Sequence, residues 1–160
     1  MKDKRKEFQR VFEFIVKHNG ENISLENNKL KNFIRWAAFY KKLFIIYDNK
    51  RIAAVGIAWR TTHPENKIRD FSLDSTENGD YIYAYRVIVH PDYSWRGLMF
   101  QLMCMAATRF RGCKRIFWEK RGSTDEKPIL VIKTVEQMFK ELAKWQKEKP
   151  LNPHKSKQKA

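Results

Sequence analysis

The residues with the clearest chemical potential lie in one short segment, which runs from Tyr85 to Met99. Its first part is rich in β-branched and aromatic residues and predicts a buried strand. Pro91 then predicts a turn, and Gly97 begins a helical pattern. A strand that leads into the first turn of a helix directs free backbone N–H groups, and the positive end of the helix dipole, to one spot. The segment therefore predicts an anion site of the kind that binds phosphates.

This segment resembles the acyl-CoA-binding motif of the GNAT superfamily of N-acetyltransferases, which reads V-x-P-x-x-[R/Q]-x-x-G-x-[G/A]. Val89, Pro91 and Gly97 occupy the positions that this pattern requires, followed by Leu98. Arg96 supplies a cation inside the loop. The resemblance implies that the loop and the helix start hold the pyrophosphate of acetyl-CoA or another acyl-CoA.

Three positions depart from the family pattern. Ser94 stands where Arg or Gln is usual, and Trp95 stands where a small residue is usual. Met99 replaces a final Gly or Ala, which normally lets the backbone approach the phosphates closely. A Met side chain at this position would narrow or close the groove. We expect Trp95 to be partly exposed, where it would stack a nucleobase or the adenine of CoA, or fill a disused pocket.

The resemblance assigns cofactor binding to two adjoining groups of residues. The main chain of Ile88 and Val89 would line the pantetheine arm through hydrogen bonds. The turn and the helix start would hold the pyrophosphate, and this second group consists of Ser94, Trp95, Arg96, Gly97, Leu98 and Met99.

Candidates for proton transfer are less well defined. In many GNAT enzymes a Tyr after the fifth strand protonates the departing thiolate, but this sequence has no tyrosine after Tyr93. The predicted central strand also lacks the carboxylate that often deprotonates the acceptor amine. The remaining candidates are Glu119, Asp80, His63 and His90. Glu119 is preferred, because strand alternation places it on the same face as Phe117. Its alternative role is a surface carboxylate paired with Lys or Arg.

Hydrophobic periodicity predicts the elements that position these residues. The predicted order is helices 3–18 and 24–40, strands 43–47 and 51–61, a polar loop 63–80 or a loop with a short strand at 68–73, strand 81–90, helix 97–110, strand 114–120, strand 129–132 and helix 135–145. Ser24 is the expected N-cap of the second helix. In the last helix the residues expected to face inward are Val135, Phe139 and Leu142.

The predicted elements follow the order of the GNAT fold, which is two helices, an antiparallel meander and a strand–helix–strand crossover. We therefore predict an α/β (α+β) fold with a mixed, mostly antiparallel sheet flanked by helices. The predicted organisation is a single GNAT-like domain over 1–145 and a basic flexible tail over 146–160. The resemblance covers about 6–121, and the last forty residues fit the family poorly.

Composition limits the classes of protein and partner. The chain has 160 residues, of which 42% are apolar, and this is enough to form one core. Lys and Arg number 33 against 18 acidic residues, and the net charge of +15 favours nucleic acid or another polyanion as a partner. No apolar run is long enough to span a membrane, and the first residues are too polar for a secretory signal. We expect a cytoplasmic protein, and a virion-packaged one would have the same features.

Cysteine chemistry is not expected. Cys104 and Cys113 are too few for a disulfide framework and lack metal-ligand spacing, so no metal site is predicted. Cys104 is better interpreted as a small buried residue than as a nucleophile, because the sequence shows no His at a spacing that would identify it as a catalytic partner.

Three functional hypotheses remain. The first is an acyl-CoA-dependent N-acyltransferase acting on a primary amine. The second is a basic GNAT-fold protein that has lost catalysis and has a nucleic-acid-associated or assembly role, similar to small proteins encoded by phages and mobile elements. The third is an unrelated α/β protein that binds RNA or DNA through its arginine and aromatic residues.

Overall fold

The computed structural model describes residues 2–18, 27–62, 79–120 and 129–148. In chain order these residues form α1 (Lys2–His18), α2 (Asn27–Phe39), β1 (Leu43–Asp48), β2 (Arg51–Thr61), β3 (Tyr81–Val89), α3 (Trp95–Arg109), β4 (Arg115–Lys120), β5 (Ile129–Thr134) and α4 (Val135–Glu148). Ser24, most of the predicted loop 63–80 and residues 149–160 of the predicted tail lie outside the described residues.

The five strands form one sheet in the order β1-β2-β3-β4-β5. Neighbouring strands are antiparallel except β3 and β4, which are parallel and are connected through α3. A parallel pair needs such a crossover, because the chain must return to the same end of the sheet. The predicted fold class, a mixed and mostly antiparallel sheet flanked by helices, is confirmed.

Helices cover both faces of the sheet. The largest core cluster joins α3 and α4 to one face, and its fully buried members include Ile82, Ile116 and Met138. The opposite face packs on α1 and α2 through two further clusters. In these clusters Ile15 of α1 and Phe33 of α2 are almost completely buried. This burial of the sheet on both faces accounts for the continuous apolar run of β2, which strict alternation would not produce.

A β-bulge interrupts β3 at Tyr85. The pairing with β2 runs from Ile57–Arg86 directly to Ala58–Ala84, so Tyr85 has no opposite residue in that strand. One extra residue of this kind bends a strand, increases its twist and exchanges the faces to which later side chains point.

The side chains of β3 follow that exchange. Tyr83 before the bulge packs in the cluster around Phe33 of α2. Val87 and Val89, after the bulge, pack in the cluster around α3. In a regular strand these residues would share a face with Tyr83, because alternate residues point to the same side. The bulge therefore directs the last part of β3 to the N-terminus of α3.

The bend also separates β3 from β4. These strands pair only at Tyr81–Arg115, Ile82–Ile116 and Tyr83–Phe117. Beyond these pairs β3 continues beside β2, while β4 continues beside β5 as far as Lys120. The backbone pairing of the two parallel strands thus ends at Tyr83–Phe117, and we name the stretch between their unpaired carboxyl-terminal parts, next to the start of α3, the opening.

The inward face of α4 differs from the prediction. Met138 is completely buried and Trp145 is 7% exposed, whereas Phe139 is 43% exposed, so the inward placement of Phe139 was wrong. Val135 and Leu142 pack against the α3 cluster as expected. These four inward positions repeat at intervals of three and four residues, which is the stripe that a helix presents to one neighbour. The position of Phe139 falls beside that stripe.

This correction can be tested with two adjacent residues. Met138→Ala should lower the free energy of unfolding by about 2–5 kcal/mol, because it leaves a cavity in the core. Phe139→Ala should change it by no more than about 0.5 kcal/mol, as is usual for an exposed site. Urea denaturation of both variants measures the difference. The reverse order of the two losses would contradict the observed face of α4.

Candidate functional site

The candidate site lies where the opening between β3 and β4 meets the first turn of α3. Of the two residues expected to line a pantetheine arm, Ile88 packs toward α1 and Val89 packs toward α3. Both residues also pair with β2 along one edge of the strand. The other edge of β3 faces the opening, because β4 has diverged at this point.

Ser94 is the N-cap of α3. Its backbone is extended, and its hydroxyl oxygen accepts the N–H of Gly97 at 3.5 Å. A serine cap of this kind satisfies one of the amide groups that a helix start leaves without an intrahelical partner. Ser94 therefore stabilises the helix start through an oxygen acceptor, whereas an Arg or Gln side chain at this position would bring hydrogen-bond donors.

Trp145 of α4 lies directly over Gly97. A Cβ atom on Gly97 would be 2.1 Å from Cζ2 and 2.2 Å from Cε2 of the indole ring. Only glycine permits this approach, since real Cβ contacts are never so short. The contact places an aromatic ring on the helix start that the sequence motif assigns to a pyrophosphate.

The indole N–H of Trp145 lies in an unfavourable environment. Its Nε1 atom is buried and has no hydrogen-bond partner among the described residues. A buried N–H without a partner destabilises a structure by about 1–3 kcal/mol. A hydrogen-bond acceptor at the start of α3, such as a phosphate oxygen, would satisfy both this N–H and the helix dipole.

Arg96 is the exposed cation of the site. Its side chain is 71% exposed and lies 3.9 Å from the carboxylate of Glu141 in α4. The guanidinium also lies 5.5 Å from the ring centre of Phe100. Ion pairs with this exposure contribute little to stability, so Arg96 can exchange Glu141 for another anion at low energetic cost.

The remaining motif residues divide between surface and core. Trp95 is 53% exposed, in agreement with the expected partial exposure. Leu98 and Met99 are both 5% exposed and belong to the cluster that packs α3 on the sheet. The sequence predicts that Met99 narrows or closes the groove, and in the structure the side chain that covers Gly97 is that of Trp145.

The turn before α3 is fastened to the β1–β2 hairpin. The hydroxyl of Tyr93 donates to a carboxylate oxygen of Asp48 at 2.6 Å, and Arg51 is paired with Asp92. The guanidinium of Arg51 also lies over the Tyr93 ring. Burial, and then the bond to Asp48, raises the pKa of Tyr93 to about 12, so this phenol remains protonated. These contacts hold the turn from its outer side.

His90 and His18 form a second contact at the same end of β3. Their ring centres are 4.8 Å apart, and Arg51 lies 2.9 Å from Nε2 of His90. Nδ1 of His90 accepts the backbone N–H of Asp92 at 3.1 Å, which requires the neutral ring. Burial first, and then the charge of Arg51, lowers the pKa of His90. Burial and the charges of Lys17 and Arg51 lower the pKa of His18.

The candidate base Glu119 lies on β4 beyond the last residue that pairs with β3. It is half-buried, and it pairs with Leu130 of β5. Strand alternation places it with Phe117 on the α2 side of the sheet, across from α3. It therefore borders the opening from the side opposite to the helix start.

The other candidates lie elsewhere. Asp80 is exposed just before β3, and its carbonyl accepts the N–H of Lys114 at the far end of the sheet. His63 is outside the described residues. Cys104 is buried, and burial raises the pKa of its thiol to about 11, which favours the unreactive protonated form. Burial also raises the pKa of Cys113, whose thiol donates to the carbonyl of Gly79.

The described part of the chain lacks two features, a cluster of metal ligands and a helix that could span a membrane. Within it, no group of three or more His, Cys, Asp or Glu side chains is placed to hold a metal ion. None of the helices in the described ranges combines the length and apolar character needed to cross a bilayer.

Comparison with solved structures identifies the fold. The loading GNATL domain of CurA from Lyngbya majuscula matches with a TM-score of 0.57 and 16% identity over 78% of this chain. The GphF GNAT-like decarboxylase in complex with isobutyryl-CoA matches with a TM-score of 0.56 and 13% identity over 74% of this chain. This chain covers 66% and 64% of those two chains, just under two thirds of each. No family model and no curated protein matches the sequence. The fold is therefore GNAT-like.

The contact between Gly97 and Trp145 can be tested by a double-mutant cycle. Gly97→Ala should lower the free energy of unfolding by about 1–3 kcal/mol, because the new methyl group overpacks against the ring. In a Trp145→Ala background the same change should be neutral or stabilising by up to about 1 kcal/mol, since alanine favours a helix. Urea denaturation of the four proteins gives the coupling. Additive effects would mean that the two residues do not touch.

The histidine contact predicts a dependence of stability on pH. Because the pKa values of His18 and His90 are lowered in the folded state, the unfolded chain binds protons more readily. Stability from these groups is therefore present above pH ~6.5 and is lost as the pH falls below that value. A His18→Asn/His90→Asn variant should lose less thermal stability than the wild type between pH 7.5 and about 5.5. Equal losses would exclude this role.

Proposed function

We propose that this protein binds acetyl-CoA or a related acyl-CoA at the start of α3 and transfers the acyl group to a primary amine. The observation that carries the proposal is the divergence of β3 from β4 next to that helix start. A GNAT-like structure with the same overall fold holds isobutyryl-CoA, which supports an acyl-CoA as the ligand class.

The proposed ligand would lie along the opening. The pantetheine arm would lie along Ile88 and Val89 and hydrogen-bond to the edge of β3 turned away from β2, where the Val89 N–H points because the N–H of His90 bonds to Ala53 of β2. The pyrophosphate would approach the first turn of α3, where Arg96 is exposed and the helix dipole is positive. Trp95 is exposed at the same turn and is available to stack on the adenine.

Positioning would supply most of the rate enhancement. An amine that reaches the thioester from the α2 side attacks the carbonyl carbon, and the C–S bond then breaks to release the CoA thiolate. Backbone N–H groups on the edge of β3 would polarise the carbonyl oxygen. Glu119 would accept the proton of the amine, directly or through water, because it borders the opening on that side.

Trp145 sets a condition on this function. Its ring occupies the approach to Gly97, so the last turns of α4 have to shift before a pyrophosphate reaches the helix start. The shift would break the exposed Arg96–Glu141 pair and part of the packing of Leu142 and Trp145 on α3. It would also bring the Trp145 N–H toward an acceptor, which it lacks in this conformation.

Thermal shift and calorimetric titration with acetyl-CoA test the proposal. At ~100 times its dissociation constant a ligand stabilises the folded state by about 2.7 kcal/mol, which is an easily measured shift. Arg96→Ala should weaken binding, and Lys140→Ala, which removes an exposed lysine of α4, is the matched control. Trp145→Ala should bind acetyl-CoA more tightly than the wild type, with a larger ligand-induced thermal shift measured from the variant's own ligand-free melting temperature. Absence of binding in both the wild type and Trp145→Ala would reject an acyl-CoA ligand.

Turnover separates acyl transfer from binding alone. With a panel of primary amines, release of free CoA thiol should be detected, and Glu119→Gln should reduce kcat by about 10²-fold with little change in KM. Binding of acetyl-CoA without release of thiol from any amine would limit the protein to acyl-CoA binding. A full rate in the Gln variant would remove Glu119 from the mechanism.

A second function is favoured by one observation, the packing of the Trp145 ring against Gly97. In this alternative the GNAT fold is kept without catalysis, and the basic protein serves in a nucleic-acid-associated, phage or assembly role. Failure of every acyl-CoA to bind would make this alternative the working hypothesis.

A further inference from the structure

We propose that the end of the molecule opposite to the acyl-CoA opening binds single-stranded nucleic acid. The surface concerned, which we name the aromatic corner, consists of Phe39, Tyr40, Lys41, Lys42 and Arg109. It lies where α2 ends and β1 begins, beside the last residue of α3. It is independent of the proposed acyl transfer, because that site lies at the first turn of the same helix α3.

The corner presents aromatic rings to solvent. Phe39 is 78% exposed and Tyr40 is 56% exposed, although the preceding turns of α2 bury Phe33 and Ala37 almost completely. The rings of Phe39 and Tyr40 are 4.9 Å apart in an edge-to-face arrangement. Exposed rings can stack on any base, and this is how proteins bind single strands without reading sequence.

The corner also holds three cations, Lys41, Lys42 and Arg109. Arg109 donates to the backbone carbonyls of Lys41 and Leu43 at 2.9 and 3.1 Å, so the end of α3 is fastened to the start of β1. The ammonium of Lys42 lies 5.2 Å from the ring centre of Phe110, and Lys41 is exposed. Positive charge beside exposed rings suits a phosphate backbone whose bases are unpaired.

The two chain segments that form the corner carry only positive charge, and the nearby Asp80 bonds to Lys114 through its backbone carbonyl. The segments from Arg35 to Tyr47 and from Cys104 to Trp118 together hold seven Lys and Arg and no Asp or Glu. With a net charge of +15, two copies of this chain would repel each other at such a surface. A polyanion therefore fits the corner better than a second copy of the protein does.

The backbone of the corner is held in one conformation. Lys41 has a φ of 59°, in the left-handed region where a helix end usually has glycine. The N–H of Lys42 bonds to the carbonyl of Ala37 at 2.6 Å and closes the end of the helix. A lysine at this position places a charge where glycine would be the easier residue, and the closed helix end fixes the backbone from which both rings project.

Fluorescence anisotropy with a labelled oligo(dT) of about 12 nucleotides tests the proposal, because single-strand sites commonly span about 4–16 nucleotides. Phe39→Ala/Tyr40→Ala should weaken binding at least tenfold, whereas Phe139→Ala, which removes an exposed ring from α4, should change it less than twofold. Lys41→Gln should reduce the slope of log affinity against log salt by about 0.7, the value for one phosphate contact on a single strand. Lys140→Gln is its matched control.

The outcomes separate the alternatives. Weaker binding of the matched duplex than of the single strand, together with the loss in the aromatic variant, supports stacking at the corner. Equal affinity for both forms, or an unchanged affinity in Phe39→Ala/Tyr40→Ala, would overturn the proposal and leave only charge attraction, to which the lysines of 149–160 also contribute. A dimer in sedimentation that the aromatic variant abolishes would overturn it in favour of self-association. The acetyl-CoA shift should be the same in all these variants.

Discussion

The short pairing between β3 and β4 is the constraint on which the architecture depends. Three residue pairs join the only parallel neighbours of the described sheet, and the bulge at Tyr85 prevents the pairing from continuing. The same bulge exchanges the faces of β3, which brings Val87 and Val89 under α3. One extra residue therefore produces both the opening in the sheet and the seat of the helix whose first turn lies beside that opening.

The first turn of α3 has two incompatible uses. Its serine cap, its dipole and Arg96 suit an anion, yet an indole ring fills the space over Gly97. The buried N–H of Trp145 shows that this ring is not in an ideal environment. Conflicts between local preference and global packing are expected mainly at functional positions, because elsewhere selection for stability favours sequences without them. The contact between α3 and α4 is therefore the feature on which the proposed acyl-CoA binding depends.

Much of the fold was predictable, because its elements have strong local signals. The bounds of β2 and the first residues of β1, β3 and α4 match the periodicity, and the motif around Gly97 located the helix start. The hydrogen bond that holds the turn before α3 was not predictable. Asp48 and Tyr93 are 45 residues apart, and no local sequence pattern around either residue indicates the other as its partner. Trp145 was missed for the same reason. Its position on the inward stripe of α4 is visible in the sequence, but its neighbour on α3 is not. The error at Phe139 arose because two apolar stripes are possible on that helix and only packing selects one.

The limited pairing between β3 and β4 also divides the molecule into parts of unequal cohesion. β4, β5 and α4 are joined to the rest through three backbone pairs, through Ile116 and Phe117 in the core, and through the packing of α4 on α3. β1, β2 and β3 are instead paired along nearly their whole lengths and are covered by α1 and α2. We therefore expect local opening of the carboxyl-terminal part at a lower free energy than global unfolding, seen as weaker hydrogen-exchange protection. A fluctuation of this kind would expose the start of α3 to solvent while the remaining core stays folded.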